Sequence, residues 1–147
     1  MKILICGLPG TGKTTLAREL AYHFLIPHHN ADTYREYHDD WDFSIEGRAR
    51  QAKRMSQQWG ILDFVCPTRA MRYLVKPDFV IWMNTFGESH YKDTDQLFEP
   101  VVQYDIRIDE WITQNQLHKC LADFNPGIQD IQNFLKECMP KLVKSPS

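Results

Sequence analysis

Short apolar runs alternate along the chain with segments in which apolar residues recur at helical spacing. The apolar runs predict strands at Lys2–Cys6, Ile61–Cys66 and Phe79–Met83, and His28–Asn30 and Tyr104–Ile108 are two further strand candidates. The helices predicted from spacing and N-cap residues are Lys13–Phe24, Ser44 to about Trp59, Thr68 to about Val75, about Thr113–Phe124 and Ile128–Cys138. This alternation is typical of an α/β fold with a five-stranded, mostly parallel sheet flanked by helices.

Three segments have no regular pattern. Ala31–Asp42 is polar and aromatic and is expected to be irregular, and Thr85–Pro100 is polar without a clear period. The last residues, Lys141–Ser147, have the composition of a frayed tail. Because no linker, repeat or low-complexity stretch divides the chain, we predict a single domain over residues 1–147.

The composition limits the classes of protein. The chain has 147 residues, of which 43% are hydrophobic and 24% charged, and this is ordinary for a small globular domain. Its 17 basic and 19 acidic residues give a net charge of −2, which does not suggest a nucleic-acid-coating protein. The four cysteines lack metal-ligand spacing, so we expect reduced thiols and a cytoplasmic location. No apolar run approaches about 20 residues, so we expect no membrane span.

A phosphate-binding motif follows the first predicted strand. Residues 7–14 read GLPGTGKT and match GxxxxGK[ST], between an apolar strand and an amphipathic helix. The motif's glycines let successive backbone N–H groups curl around an oxyanion at the start of a helix. Lys13 can reach the β- and γ-phosphates of a nucleotide, and Thr14 supplies a hydroxyl to Mg²⁺. The predicted ATP-binding residues are Gly7, Leu8, Pro9, Gly10, Thr11, Gly12, Lys13, Thr14 and Thr15.

Two aspartates are candidates for the chemistry beside this loop. Ligands of parallel sheets collect at the carboxyl ends of the strands, and Asp32 comes directly after the second predicted strand. Its carboxylate could hold a magnesium-bound water or take the proton of an acceptor hydroxyl; its structural alternative is a turn aspartate. Asp63, inside the third predicted strand, is the weaker metal candidate, with a strand-edge carboxylate as its alternative.

The order of several shorter motifs resembles adenylylsulfate (APS) kinases, within the wider group of P-loop metabolite kinases. The matching segments are Gly7–Thr15 (family GLSGAGKST), Asn30–Arg35 (DGDNVR), Asp42–Ser44 (GFS), Cys66–Arg69 (SPFR) and Asp93–Pro100 (IDDPYEPP). The resemblance runs from Met1 to about Pro100 and is weaker beyond it. It implies the three-layer P-loop NTPase fold and transfer of the γ-phosphoryl group of Mg-ATP to the 3′-OH of adenylylsulfate, giving PAPS and ADP.

The same resemblance implies roles for individual residues. Lys13 and Asp32 would be catalytic, and Thr14 and Asp32 would hold the metal. The acceptor would be bound by Asp32, Arg35, Phe43, Arg48, Gln51 and Arg69. Guanidinium groups suit phosphate-like oxyanions, and an aromatic face suits a purine. A homodimer is implied by the family alone.

The sequence departs from the family at three places, which keeps other functions open. Asn30 stands where the family has its first Asp, and Thr68 replaces an aromatic residue. The lid-like segment at about 85–100 lacks the family's basic stretch and has only His90 and Lys92 as cations. One alternative is a kinase for another acceptor, such as a nucleoside, a nucleotide or a polynucleotide end. The other is a nucleotide-binding module without catalysis.

Overall fold

The computed structural model describes residues 1–85, 89–124 and 130–143 and contains a five-stranded sheet with the order β2-β3-β1-β4-β5. The strands are β1 (Lys2–Cys6), β2 (His28–Asn30), β3 (Gly60–Asp63), β4 (Phe79–Met83) and β5 (Ile106–Ile108). All neighbouring strands pair in parallel. The helices are α1 (Lys13–Phe24), α2 (Ala31–His38), α3 (Ile45–Ser56), α4 (Arg69–Val75), α5 (Lys92–Leu97) and α6 (Gln114–Asp123). A last helical segment comprises α7 (Ile131–Asn133), a π-helical stretch (Phe134–Cys138) and α8 (Met139–Leu142).

Helices cover both faces of the sheet, as predicted. Alternate residues of a strand point to opposite faces, so Ile3 and Ile5 of β1 pack on one side and Leu4 on the other. The first side is covered by α1, α6 and the last helical segment, and the second by α3 and α4. The predicted three-layer α/β fold with a five-stranded parallel sheet is therefore confirmed.

The strand order decides which residues meet at the carboxyl edge of the sheet. The central strand β1 leads into the phosphate loop, residues 7–12. On one side of it, β3 ends at Asp63 and β2 at Asn30, directly before α2. On the other side lie the ends of β4 and β5. The phosphate loop thus lies between two groups of loops that can receive different parts of a ligand.

Two helices lie where the sequence predicts irregular structure. The Asn30 side chain caps α2 by accepting a hydrogen bond from the Thr33 N–H, 3.2 Å away. The core-facing residues of this helix are Ala31 and the charged Arg35, so it has no apolar stripe by which to recognise it. Helix α5, in the segment predicted to lack a period, buries Thr94 alone.

The chain that follows α5 is fixed to α4 and to the loop directly before it. The buried guanidinium of Arg72 donates hydrogen bonds to the carbonyl oxygens of Glu99 and Pro100, at 2.6 and 3.4 Å, and of Pro67, at 3.0 Å. The Glu99 N–H also donates to the Pro67 carbonyl, at 2.7 Å. These bonds hold the segment around α5 against the loop that follows β3, next to the phosphate loop.

Several predicted boundaries were wrong. Helix α3 ends at Ser56 rather than near Trp59, and Gly60 belongs to β3. Strand β3 ends at Asp63 rather than at Cys66, because the chain turns there across the phosphate loop, where the Val65 carbonyl accepts a hydrogen bond from Gly7. Phe64 and Cys66 are nevertheless buried, which is why the apolar run extends past the strand. Strand β5 begins at Ile106 rather than Tyr104.

The C-terminal prediction was correct in type but not in extent. The predicted start at Ile128 lies outside the described residues, and the described helix begins at Ile131 after an Asp130 cap. It continues beyond Cys138 to Leu142, so the predicted frayed tail begins too early, and residues 144–147 lie outside the described part. Within the described residues, no helix combines the length and apolar character needed to cross a bilayer. The four cysteines are free thiols, and Cys6 and Cys66 are buried.

Candidate functional site

The phosphate loop has the backbone shape that its sequence predicts. Gly10 and Gly12 have φ angles of 80° and 96°, in the left-handed region that glycine adopts without strain. Gly12 is the N-cap of α1, and among the described residues no side chain caps this helix. The N–H groups of its first turn therefore point outward without side-chain partners, which is the arrangement that binds phosphate.

Contacts within the phosphate loop and from the loops after β4 and β5 hold it in this shape. Within the loop, the Thr11 hydroxyl donates to the Leu8 carbonyl at 2.8 Å. From the loop after β4, the Thr85 hydroxyl donates to the Thr11 carbonyl at 3.1 Å. The indole of Trp111 lies against Gly12, and a Cβ built there would come within 2.7 Å of the ring. A side chain at position 12 would therefore meet both backbone strain and this ring.

The Lys13 ammonium lies inside the phosphate loop. Nζ donates a hydrogen bond to the Leu8 carbonyl at 2.8 Å, and the residue is 8% exposed. Burial lowers the pKa of Lys13, and the negative charges of Asp63 and Asp32 partly offset this effect. The side chain thus holds a cation at the place where the loop would receive phosphate oxygens.

A buried polar network lies beside Lys13. One carboxylate oxygen of Asp63, Oδ2, is 3.0 Å from His28 Nε2 and accepts a hydrogen bond of 3.0 Å from Asn30 Nδ2. The Asn30 amide also donates to the Thr14 hydroxyl at 3.4 Å. Burial raises the pKa of Asp63, but the polar side chains of His28, Asn30 and Thr14 and the charge of Lys13 outweigh it and leave the pKa below its usual value.

This network fits a magnesium ion bound together with a nucleotide. Asp63 is 1% exposed, and its Oδ1 atom is buried with no hydrogen-bond partner among the described residues. No group of three or more His, Cys, Asp or Glu side chains among the described residues could hold a metal by itself. Mg²⁺ usually takes one or two carboxylates and completes its shell with phosphate oxygens and water, so one carboxylate oxygen near a hydroxyl is sufficient.

One cavity of about 750 Å³ joins the phosphate loop to the predicted acceptor residues. We call it the cleft. The predicted site residues that line it are Pro9, Gly10, Lys13, Thr14, Asp32, Arg35, Phe43, Arg48 and Gln51. Asp32 is exposed and also lines a second cavity, of about 590 Å³, on the outer side of β2. Arg69, predicted from the resemblance to face the phosphates, is exposed and is not part of the cleft lining.

The two arginines of the cleft hold the loop that carries Phe43. Arg35 donates to the carbonyls of Asp40 and Asp42, both at 3.0 Å, and to Gln51 Oε1 at 2.9 Å. Arg48 donates to the Phe43 carbonyl at 3.0 Å. Their guanidinium carbons lie 4.3 and 5.3 Å from the centre of the Phe43 ring. Phe43, 52% exposed, is thus held at the mouth of the cleft by cation–π contacts.

Because Arg35 is buried and makes three hydrogen bonds to its own chain, we expect it to matter for stability. Arg35→Ala should lower the free energy of unfolding by about 2–4 kcal/mol, since it leaves one buried and two partly buried acceptors without this donor. Arg50→Ala is the matched control: Arg50 pairs with Asp40 at the surface, where solvent screens the pair, and its loss should change the stability much less. Urea unfolding of both variants measures the difference, and equal losses would contradict this role for Arg35.

The structure adds cleft residues that the sequence did not single out as site residues. Trp41 lines the cleft beside Phe43, with ring centres 6.5 Å apart. The opposite wall comes from the lid-like segment, whose Tyr91, Lys92 and Thr94 all line the cleft. Sequence composition marks segments 31–42 and 85–100 as aromatic or polar, but only the tertiary fold brings them face to face. Residues 86–88 of the lid-like segment lie outside the described residues.

Comparisons with known proteins support the fold. No protein-family model and no curated protein matches the chain. Two solved structures of the Mycobacterium tuberculosis APS kinase CysC resemble it, both with a TM-score of 0.61 and both covering 84% of this chain. One is a mutant (19% identity, 96% of that chain covered), and the other is the complex with AMPPNP and APS (16%, 97%). The shikimate kinase of Aquifex aeolicus matches at 13% identity and a TM-score of 0.54, over 84% of this chain and 95% of that one. The chain therefore has the fold of P-loop kinases.

Proposed function

We propose that this protein is a small-molecule kinase that transfers the γ-phosphoryl group of Mg-ATP to a hydroxyl group. The observation that carries the proposal is the continuity of the cleft, whose single lining includes Lys13 and Thr14, the carboxylate of Asp32 and the aromatic Phe43. A single cavity with a phosphate loop and a carboxylate can hold a donor and an acceptor in line.

At the donor end, the N–H groups of the phosphate loop and Lys13 hold the phosphates. Thr14 and Asp32 are the predicted metal residues, and the orphaned oxygen of Asp63 lies in the same network. Bound Mg²⁺ supplies positive charge to the phosphate oxygens as the phosphoryl group moves. Lys13 adds a second cation, so the charge that develops on transfer is neutralised from two sides.

At the acceptor end, we propose adenylylsulfate, whose ribose 3′-OH would take the phosphoryl group to give PAPS and ADP. The Phe43 ring offers an exposed face for a purine, and Arg48 contributes a cation near the ring. Asp32 would lie by the reacting hydroxyl and accept its proton. The ordered motif series in the sequence and the shared fold with an APS kinase solved with AMPPNP and APS support this choice.

A panel of acceptors tests the proposal. The purified chain is incubated with γ-³²P-labelled ATP, Mg²⁺ and one of adenylylsulfate, adenosine, AMP, shikimate or a 5′-OH oligonucleotide. Label transferred to adenylylsulfate supports the specific proposal. Transfer to another acceptor alone leaves a kinase with a different substrate, and ATP binding without any transfer indicates a nucleotide-binding module. The proposed homodimer is tested separately, by light scattering.

Arg48 should affect the acceptor rather than ATP. Arg48→Ala removes a cation that lines the cleft and should raise the KM for the acceptor at least about tenfold, with the KM for ATP within about twofold of wild type. Arg69→Ala is the control, because Arg69 is exposed outside the cleft lining and should change neither constant. Steady-state kinetics measure the KM for the acceptor and the KM for ATP in both variants. An equal rise of both KM values in Arg48→Ala would argue against acceptor binding by Arg48.

A further inference from the structure

The pair formed by the half-buried Asn30 and the buried Asp63 is chemically unusual beside a phosphate loop. Asn30 ends β2 and Asp63 ends β3, in register with each other. The two side chains share one negative charge, which lies on Asp63. The resemblance described above places an Asp at position 30, so this chain has an amide on the strand where a carboxylate is expected.

Every polar atom of the Asn30 side chain is used. Its Oδ1 accepts from the Thr33 N–H, at the start of α2, and its Nδ2 donates to both Asp63 and Thr14. An aspartate at position 30 could keep the first bond, but it would lose both donated bonds. It would also bring a second carboxylate to about 3 Å from Asp63, where like charges repel strongly. The amide at position 30 therefore suits a carboxylate at position 63.

The carboxylate of Asp63 is used on one oxygen only. Oδ2 is fixed by Asn30 and contacts His28 Nε2, while Oδ1 is buried without a partner among the described residues. Leaving a charged oxygen buried and unbonded is costly, so its presence next to Thr14 points to a ligand that it accepts when the site is occupied. Because Asp63 also lines the cleft, its carboxylate lies on the side on which the nucleotide phosphates would lie.

We propose that Asp63 is the carboxylate that holds magnesium, directly or through one water, and that Asn30 is its positioning residue. In this chain the negative charge of the metal site is thus supplied from β3 instead of β2. Asp32 is then free for the acceptor hydroxyl, which agrees with its exposure and its place on the wall between the two cavities. This inference rests on the proposed function, because the metal is the one bound with the donor nucleotide.

An exchange of the two residues tests the proposal. The affinity of Mn²⁺ for the complex of the protein with ADP is measured by electron paramagnetic resonance, and the affinity of ADP without metal by calorimetry. Asp63→Asn should weaken Mn²⁺ binding at least about tenfold and leave metal-free ADP binding unchanged. The double variant Asn30→Asp with Asp63→Asn should recover most of the Mn²⁺ affinity, because it restores one carboxylate and one amide to the pair. Glu36→Gln, an exposed acid of α2 that does not line the cleft, is the control and should bind Mn²⁺ as the wild type does.

The possible outcomes separate this inference from the proposed function. Unchanged Mn²⁺ affinity in Asp63→Asn would overturn the inference, and so would a double variant that folds but stays as weak as the single one. If Asp63→Asn does not fold, the double variant alone decides, since it keeps the charge of the pair. A wild-type chain that binds no ADP would overturn the proposed function together with this inference.

Discussion

Replacing Lys13 by alanine is expected to reduce phosphoryl transfer by at least about a thousandfold, which in practice abolishes it, while the fold stays intact. Lys13 is the buried cation of the phosphate loop, with Nζ 2.8 Å from the Leu8 carbonyl. As the γ-phosphoryl group moves, negative charge develops on oxygens that the loop and this ammonium surround, so removing the ammonium removes stabilisation of the transition state. The loss should appear in kcat.

The fold should survive because the loop does not depend on Lys13 for its shape. The Thr11 hydroxyl, the Thr85 hydroxyl and the packing of Trp111 on Gly12 hold the backbone independently of this side chain. Lys13→Met serves as the matched control, since it keeps the aliphatic part of the side chain and lacks the charge. Both variants should be inactive in the labelled-ATP assay and melt within a few degrees of wild type. Near-normal turnover in the methionine variant would exclude the role of the cation.

The phosphate loop could be predicted from the sequence because its determinants are local. The strand, the glycines, the lysine and the helix follow one another within 24 residues, and β1 and α1 have the predicted bounds. The central strands and the parallel sheet could also be predicted, since buried parallel strands are short apolar runs whatever their neighbours are. Strand β2 reads HHN and is only half-buried, so the alternation of the elements rather than an apolar run indicated it.

Helix α2 could not be predicted in this way. Periodicity methods look for apolar residues on one face, but the residue that anchors α2 to the rest of the chain is Arg35, which is 2% exposed. An arginine is buried only when distant carbonyls and amides satisfy it, and here they come from residues 40, 42 and 51. The local signal that was available is Asn30, a favourable N-cap residue directly before Ala31.

The sequence indicated Asp63 only as the weaker metal candidate. Within its own predicted strand it is one polar residue inside an apolar run, and a strand-edge carboxylate explains it equally well. Its partners His28 and Asn30 are 35 and 33 residues away and reach it only because β2 pairs with β3. The position of the lid-like segment could not be predicted from the sequence either. The six residues of α5 bury Thr94 alone, and the helix lies on the cleft wall because the buried Arg72 binds the chain that follows it, at the Glu99 carbonyl.

Asp32→Asn is expected to lower kcat by about 10²–10⁴-fold and to leave the affinity for ADP within about twofold of wild type. The carboxylate lies in the first turn of α2, is exposed, and lines the cleft that also contains Lys13 and Thr14. An amide of the same shape keeps the packing of the helix but cannot accept the proton of an acceptor hydroxyl. Glu36→Gln, an exposed acid on the same helix, is the control and should have wild-type kcat.

Measuring both kcat and the Mn²⁺ affinity of the ADP complex in Asp32→Asn and Asp63→Asn distinguishes the roles assigned to the two aspartates. If Asp32 acts on the acceptor, its amide variant loses turnover but keeps the Mn²⁺ affinity of the ADP complex, whereas Asp63→Asn loses that affinity. If Asp32 were the main metal ligand, its variant would show the larger loss of Mn²⁺ affinity. Wild-type turnover in Asp32→Asn would show that the hydroxyl is activated by positioning and metal charge alone, which loose, largely dissociative phosphoryl transfer permits. The carboxyl edge of the sheet would then provide one functional acid, on β3, rather than two.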